Sequence, residues 1–191
     1  RALNLSILDA AHDAPDRLAL VAGSAALTFR ELAARVERRI DELAAGGRLD
    51  SSGDVPLAVL ATPTLACVET LLALFATGTP ALLLHPRSTE TERTDLVRRA
   101  DARLETEPGS PTRPALTAPL ASFDAERIAA LVPTSGTTGA PRLARLSHRG
   151  LLAAAEASAL HLGIEADRWL LALPLAHVGG RRKKFLGRPR Q

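Results

Sequence analysis

The chain has 191 residues, 46% of them hydrophobic but only 3% aromatic, with one Trp and no Tyr. So few aromatic faces argue against a carbohydrate cleft or a base-stacking nucleic-acid surface. The single cysteine, Cys67, excludes an internal disulfide framework and a multi-cysteine zinc site. The net charge of +3 hides an asymmetry: six Lys/Arg and no acid fall in residues 181–191, and without them residues 1–180 carry −3.

The length suits one good-sized domain or two small ones. A lone thiol fits a reducing compartment, so a cytoplasmic protein is expected. No apolar run approaches about 18 residues, so no membrane span is expected. No specific nucleic-acid partner is expected for the mildly acidic body.

In chain order, LALVA (Leu18 to Ala22) reads as a short buried strand and AALT as its hairpin partner. Thr28 and Glu31 then form a capping box. Behind it Phe29, Leu32, Val36, Ile40 and Leu43 recur at three- and four-residue steps, one face of an amphipathic helix ending at Gly46 and Gly47. Pro56 to Ala61 reads as a buried strand. Thr64 to Thr77 is a nearly all-apolar helix stopped by Gly78, and Ala81 to His85 a further buried strand. Thr89 and Glu92 offer a second capping box, opening a charged helix to about Ala102. Alternating strands and helices predict an α/β fold, a partly parallel sheet flanked by helices.

Glu105 to Pro119 carries four prolines in fifteen residues and must be a loop or linker. Then come an apolar lead-in, RIAALVP, a glycine loop, a return segment, RLARL, and a helix from Ser147 to about Leu162. RWLLALPLAHVGG reads as a buried strand ending in a loop.

The glycine loop carries the most chemistry. Thr134, Ser135, Gly136, Thr137, Thr138 and Gly139 are six consecutive residues with only hydroxyls or no side chain. Glycines let backbone N–H groups converge on an anion. The hydroxyls add donors, and Arg142 supplies a charge. The spacing is not the Walker pattern, since Gly136 and Gly139 are three apart and Ala-Pro follows. Ser135 is not in a G-x-S-x-G elbow either. An ordinary Ser/Thr/Gly turn between two strands accounts equally well for the composition.

The order of residues adds more. TSGTTGAPRLARLSH resembles the phosphate-binding signature of the adenylate-forming enzymes: acyl-CoA synthetases, luciferases and peptide-synthetase adenylation domains. Thr134 to Gly139, Pro141, Ser147 and His148 match. The family lysine is replaced by Arg142, which keeps the charge but not the point geometry of an ammonium. The usual aromatic before the loop is replaced by Pro133. LPLAHVGG, Leu173 to Gly180, resembles the next family motif, beside the carboxylic-acid pocket. The likeness spans nearly the whole chain to Gly180 and is greatest to o-succinylbenzoate–CoA ligases of menaquinone synthesis.

The resemblance implies the N-terminal part of the large domain of such an enzyme. A small carboxylic acid would be activated by ATP and Mg²⁺ as an acyl-adenylate, then transferred to a thiol, usually that of CoA. Thr134, Ser135, Gly136, Thr137, Thr138 and Gly139 would hold phosphates, Thr138 would reach the metal, Arg142 would replace the loop lysine, and His177 would line the acid pocket as the catalytic-site residue.

The family's adenine-binding segment, metal-binding Glu, ribose-binding Asp and C-terminal catalytic lysine have no counterpart in these 191 residues. The chain alone is therefore expected to be inactive, with a non-catalytic nucleotide- or acyl-binding module, or part of another acyl- or aryl-CoA synthetase, as the alternative. Residues 1–180 contain no lysine, whereas Lys183 and Lys184 are adjacent in the tail. Residues 181–191 are accordingly expected to be disordered or out of frame, with a basic tether to nucleic acid or lipid as the functional alternative. Cys67 and Trp169 are expected to be packing residues, and His85 a surface residue. His12 and His161 have no second ligand at metal spacing, leaving His148 as the one further histidine worth testing.

Overall fold

The structure is a computed structural model and describes residues 5–49, 52, 54–104, 124–134, 142–162 and 175–176. It opens with α1 (Ile7–Asp13), capped by the Ser6 hydroxyl. An antiparallel hairpin of β1 (Leu18–Ala22) and β2 (Ala25–Thr28) leads into α2 (Phe29–Ala45). The Thr28–Glu31 capping box is present, with the Glu31 carboxylate accepting from the Thr28 amide at 2.8 Å.

Then come β3 (Leu57–Leu60), α3 (Leu65–Thr77), β4 (Ala81–Leu84), α4 (Glu90–Ala100) and the two-residue β5 (Arg103–Leu104). Finally β6 (Ile128–Thr134), β7 (Arg142–Ser147) and α5 (His148–Leu162) follow. The main sheet has the order β5-β3-β4-β6-β7. Its first four strands are parallel, and β7 runs antiparallel to β6.

Alternation along the strands assigns the two faces. Leu57, Val59, Ala81 and Leu83 pack with Val36, Ile40 and Leu43 of α2 and with the apolar side chains of α3. Ala58, Leu82 and Leu84 point the other way, against Leu96 of α4. Both faces of β3 and β4 are covered, which is why these strands read as continuous apolar runs. The helix α3 is apolar all round because it lies between α2 and the sheet. Its few polar groups are matched: Arg35 pairs with Glu69 at 3.2 Å and Arg39 donates to the Thr70 hydroxyl at 3.0 Å. It stops at Gly78, whose φ of +70° closes a left-handed cap that a Cβ would strain.

Three expectations change. The hairpin strand β1 is not buried: Leu18 and Val21 are exposed, Val21 by 57%. The hairpin lies outside the main sheet and only one side of it meets α2. The charged helix α4 ends at Ala100, because Asp101 takes a left-handed conformation and turns the chain into β5. That strand and α1 were not legible, being too short for a periodic signal. In the segment expected as a strand over RWLLALPLAHVGG, Leu175 and Ala176 form a turn; residues 163–174 and 177–180 lie outside the described residues. Leu175 is buried, as expected, among the side chains of the α2–α3 face. Among the described residues no helix is long and apolar enough to cross a membrane.

Candidate functional site

The parallel strand β6 carries the glycine loop at its C-terminal end, and β7 returns from it. That edge of an open α/β sheet is where ligands are usually held. The hairpin is paired up to the loop mouth: Val132 faces Ala144, Pro133 faces Leu143 and Thr134 faces Arg142. The Thr134 hydroxyl donates to the Arg142 carbonyl oxygen at 3.1 Å, tying the two stems. Both residues are exposed, so the Arg142 guanidinium is available to an anion. Ser135, Gly136, Thr137, Thr138 and Gly139 lie outside the described residues, as does His177.

The donor chemistry fits an anionic ligand. Residues 131–147 contain hydroxyls, two arginine cations, Arg142 and Arg145, and no carboxylate. Phosphate oxygens would find hydroxyl and N–H donors there. A magnesium ion would have to take most of its ligands from the phosphates and water, as this ion commonly does. Among the described residues no group of three or more His, Cys, Asp or Glu side chains could hold a metal.

The base of the hairpin is built differently from its mouth. The amide of His148 donates to the Arg127 carbonyl at 3.0 Å, and that of Arg149 to the Ala125 carbonyl at 2.8 Å. The Arg149 guanidinium also pairs with the Glu126 carboxylate. Ser147 begins α5 by accepting the Gly150 amide at 3.1 Å. The adjacent His148 is 2% exposed, with its ring edge-on to Phe75 of α3 at 5.9 Å between centroids. Burial, then the nearby Arg127 charge, pushes its pKa from 6.5 down to about 4, against a smaller opposing effect of Asp124. His148, the histidine singled out from the loop signature, is thus a packed neutral ring rather than a ligand at the loop mouth.

The other candidates are placed plainly. The Cys67 thiol is buried and donates to the Leu60 carbonyl at 3.5 Å. His85 sits in a turn after β4, its Nδ1 accepting the Arg87 amide at 3.0 Å. His12 and His161 are exposed, on α1 and α5. An open groove of about 350 Å³ beside α2, lined by Leu27, Glu31, Ala34, Arg35 and Arg38, has none of the loop's residues. Sequence reasoning missed the clamp of residues 125–127 on α5; its only local signal was that the apolar lead-in opens on a charged residue, Arg127.

A mostly parallel sheet with helices on both faces thus carries, at its C-terminal edge, a hairpin whose connecting residues are rich in hydroxyls and glycine. Residues 104–187 match the family described as "AMP-binding enzyme". More particularly, the chain matches the N-terminal part of adenylate-forming acid–CoA ligases. It is 31% identical over 188 residues to the 2-succinylbenzoate–CoA ligase of Bacillus licheniformis, covering 87% of this chain and 38% of that one. The o-succinylbenzoate coenzyme A synthetase of Bacillus subtilis, solved in complex with AMP, is 27% identical and superposes with a TM-score of 0.82, over 94% of this chain and 52% of that one. The same enzyme solved with ATP and magnesium gives 27% identity and a TM-score of 0.77, over 94% and 53%. The chain thus spans well under half the length of the curated relatives it matches.

Proposed function

We propose that this chain supplies the ATP-handling part of an AMP-forming acid–CoA ligase, with o-succinylbenzoate as the acid. The observation that carries the reading is the loop mouth: hydroxyl- and glycine-rich backbone held at the C-terminal end of β6, with Arg142 exposed opposite Thr134. The similarity to 2-succinylbenzoate–CoA ligases supports the choice of acid.

In this reading a carboxylate oxygen of the acid attacks the α-phosphorus of ATP. The bond to pyrophosphate breaks and an acyl-adenylate forms. The sulfur of CoA then attacks the acyl carbon and AMP leaves. Little of this chemistry is covalent work by the protein; positioning and charge neutralisation dominate. Thr134, Ser135, Gly136, Thr137, Thr138 and Gly139 hold the β- and γ-phosphates by hydroxyl and N–H donors. The Thr138 hydroxyl reaches Mg²⁺, which when bound neutralises phosphate charge. Arg142 stands where relatives carry lysine, and its planar fork suits two phosphate oxygens at once. His177 lines the pocket for the acid.

The test is calorimetry of this chain with Mg-ATP. Saturable binding is expected, abolished in Gly136→Val and weakened about tenfold in Arg142→Ala, the scale of one lost charge-assisted bond. Absence of any binding by the folded wild-type chain would refute the reading.

A further inference from the structure

The β6–β7 hairpin changes register along its length. At its base Ile128 faces Ser147 and the His148 amide bonds to Arg127. From Ala130 with Leu146 onward, every pair is offset by one residue, so Ala129 is the extra residue of a bulge. Without that bulge the base register would run on to the loop, setting Arg142 opposite Pro133 instead of Thr134. The Thr134–Arg142 tie would be lost and every β7 side chain would change face relative to its partners. Leu143, now packed with the α4-face cluster, would leave it.

What holds the bulge is one small cluster. Ala129 is fully buried against Phe75, Leu151 and Leu5. The His148 ring packs edge-on against the same Phe75. The base therefore docks on α3 through one aromatic ring shared by the bulge and the histidine.

We propose that His148 is a positioning residue: its uncharged ring, seated on Phe75, locks the bulged base of the hairpin and thereby sets the register that brings Thr134 opposite Arg142 at the loop mouth. The residue touches no ligand and acts through β7. The proposal rests on the phosphate-loop reading only for its consequence, the aim of Arg142, and not for the register itself.

A charge on that ring would undo the lock. Arg127 and Asp124 act on it from the segment before β6, Arg149 follows it in α5 paired with Glu126, α3 offers Phe75, and α5 adds the positive end of its dipole. A released His148 titrates near 6.5 and a docked one near 4. Between pH 7.5 and pH 5 the docked-to-released ratio should then fall roughly 25-fold.

Two measurements on the full chain test this. The first is cross-linking in a Cys67→Ala background. The pair Thr134→Cys with Arg142→Cys reports the observed register, and Pro133→Cys with Arg142→Cys the slipped one. With His148 present the first pair should oxidise and the second should not. In His148→Ala the first should slow about tenfold or more while the second appears. An unchanged pattern in His148→Ala overturns the proposal.

The second is native-state hydrogen exchange, corrected for intrinsic rates, comparing β7 amides with those of β3 and β4. Protection of β7 should fall roughly 25-fold from pH 7.5 to pH 5 in the wild type, and stay flat in His148→Phe, which keeps an uncharged ring. The β3 and β4 amides should stay better protected than those of β7 at either pH; any that exchange only by global unfolding lose the same factor, because that opening frees His148 too. If His148→Ala does not fold, His148→Phe decides: loss of the first cross-link, or a wild-type acid response, overturns the proposal. Mg-ATP calorimetry on the same proteins judges the phosphate-loop reading separately.

Discussion

The parallel pair β3–β4 and the antiparallel hairpin β6–β7 belong to one sheet but are held by different means. In the first, Leu57, Val59, Leu82 and Leu83 are at most 1% exposed, and helices cover both faces. Any slip there would expose whole Leu and Val side chains to water, so burial alone sets the pairing. In the second, β7 exposes Arg142 and Arg145 and buries none of its residues fully. Its register depends on a bulge, one histidine and one hydroxyl–carbonyl bond. The comparison teaches that the glycine-rich loop returns along a strand, β7, with far less apolar burial than β3 and β4. A site that must present donors and charge to a ligand cannot also be sealed by Leu and Val.

The largest expected effect tests the first region. Leu82→Ala should lower the unfolding free energy by about 2–5 kcal/mol, read from the denaturant midpoint, because the site is closed on all sides. A loss under about 1 kcal/mol would mean that the strand pair is not the sealed unit described.

Next comes acid. The His148 pKa is lower in the folded chain than in the unfolded one, so the unfolded state binds the extra proton. Stability should be intact above about pH 6.5 and decline as pH falls toward 4, by at most about 3 kcal/mol, with no such decline from this source in His148→Phe. Equal slopes in the two proteins over that window would remove the histidine from the account.

The smallest effect concerns the mouth. Thr134→Val deletes the hydroxyl that bonds the Arg142 carbonyl and should cost about 1 kcal/mol or less, restored in Thr134→Ser. A larger loss in Thr134→Val than in Leu82→Ala would invert the comparison.

Much of this architecture was legible from residue order. Both capping boxes lie where Thr28–Glu31 and Thr89–Glu92 predicted them, since a cap is a local exchange of side-chain and backbone bonds. The α2 stripe Leu32, Val36, Ile40 and Leu43 is buried as its spacing required. The apolar runs of β3 and β4 told of a two-sided burial, and the lead-in and return segments around the glycine loop are the two strands β6 and β7.

Local pattern alone determined α2 to α5, the core strands β3 and β4 and the place of the glycine-rich loop between two strands, because each depends on neighbours three or four residues away or on composition. Tertiary structure decided three other things. It left Val21 exposed on a hairpin outside the main sheet, placed β5 on the far side of β3, and buried His148 against Phe75, 73 positions earlier in the chain. None of these could be read from spacing. Each depends on which surfaces meet after the chain has folded back, and contacts between residues so far apart leave no periodic trace in the sequence.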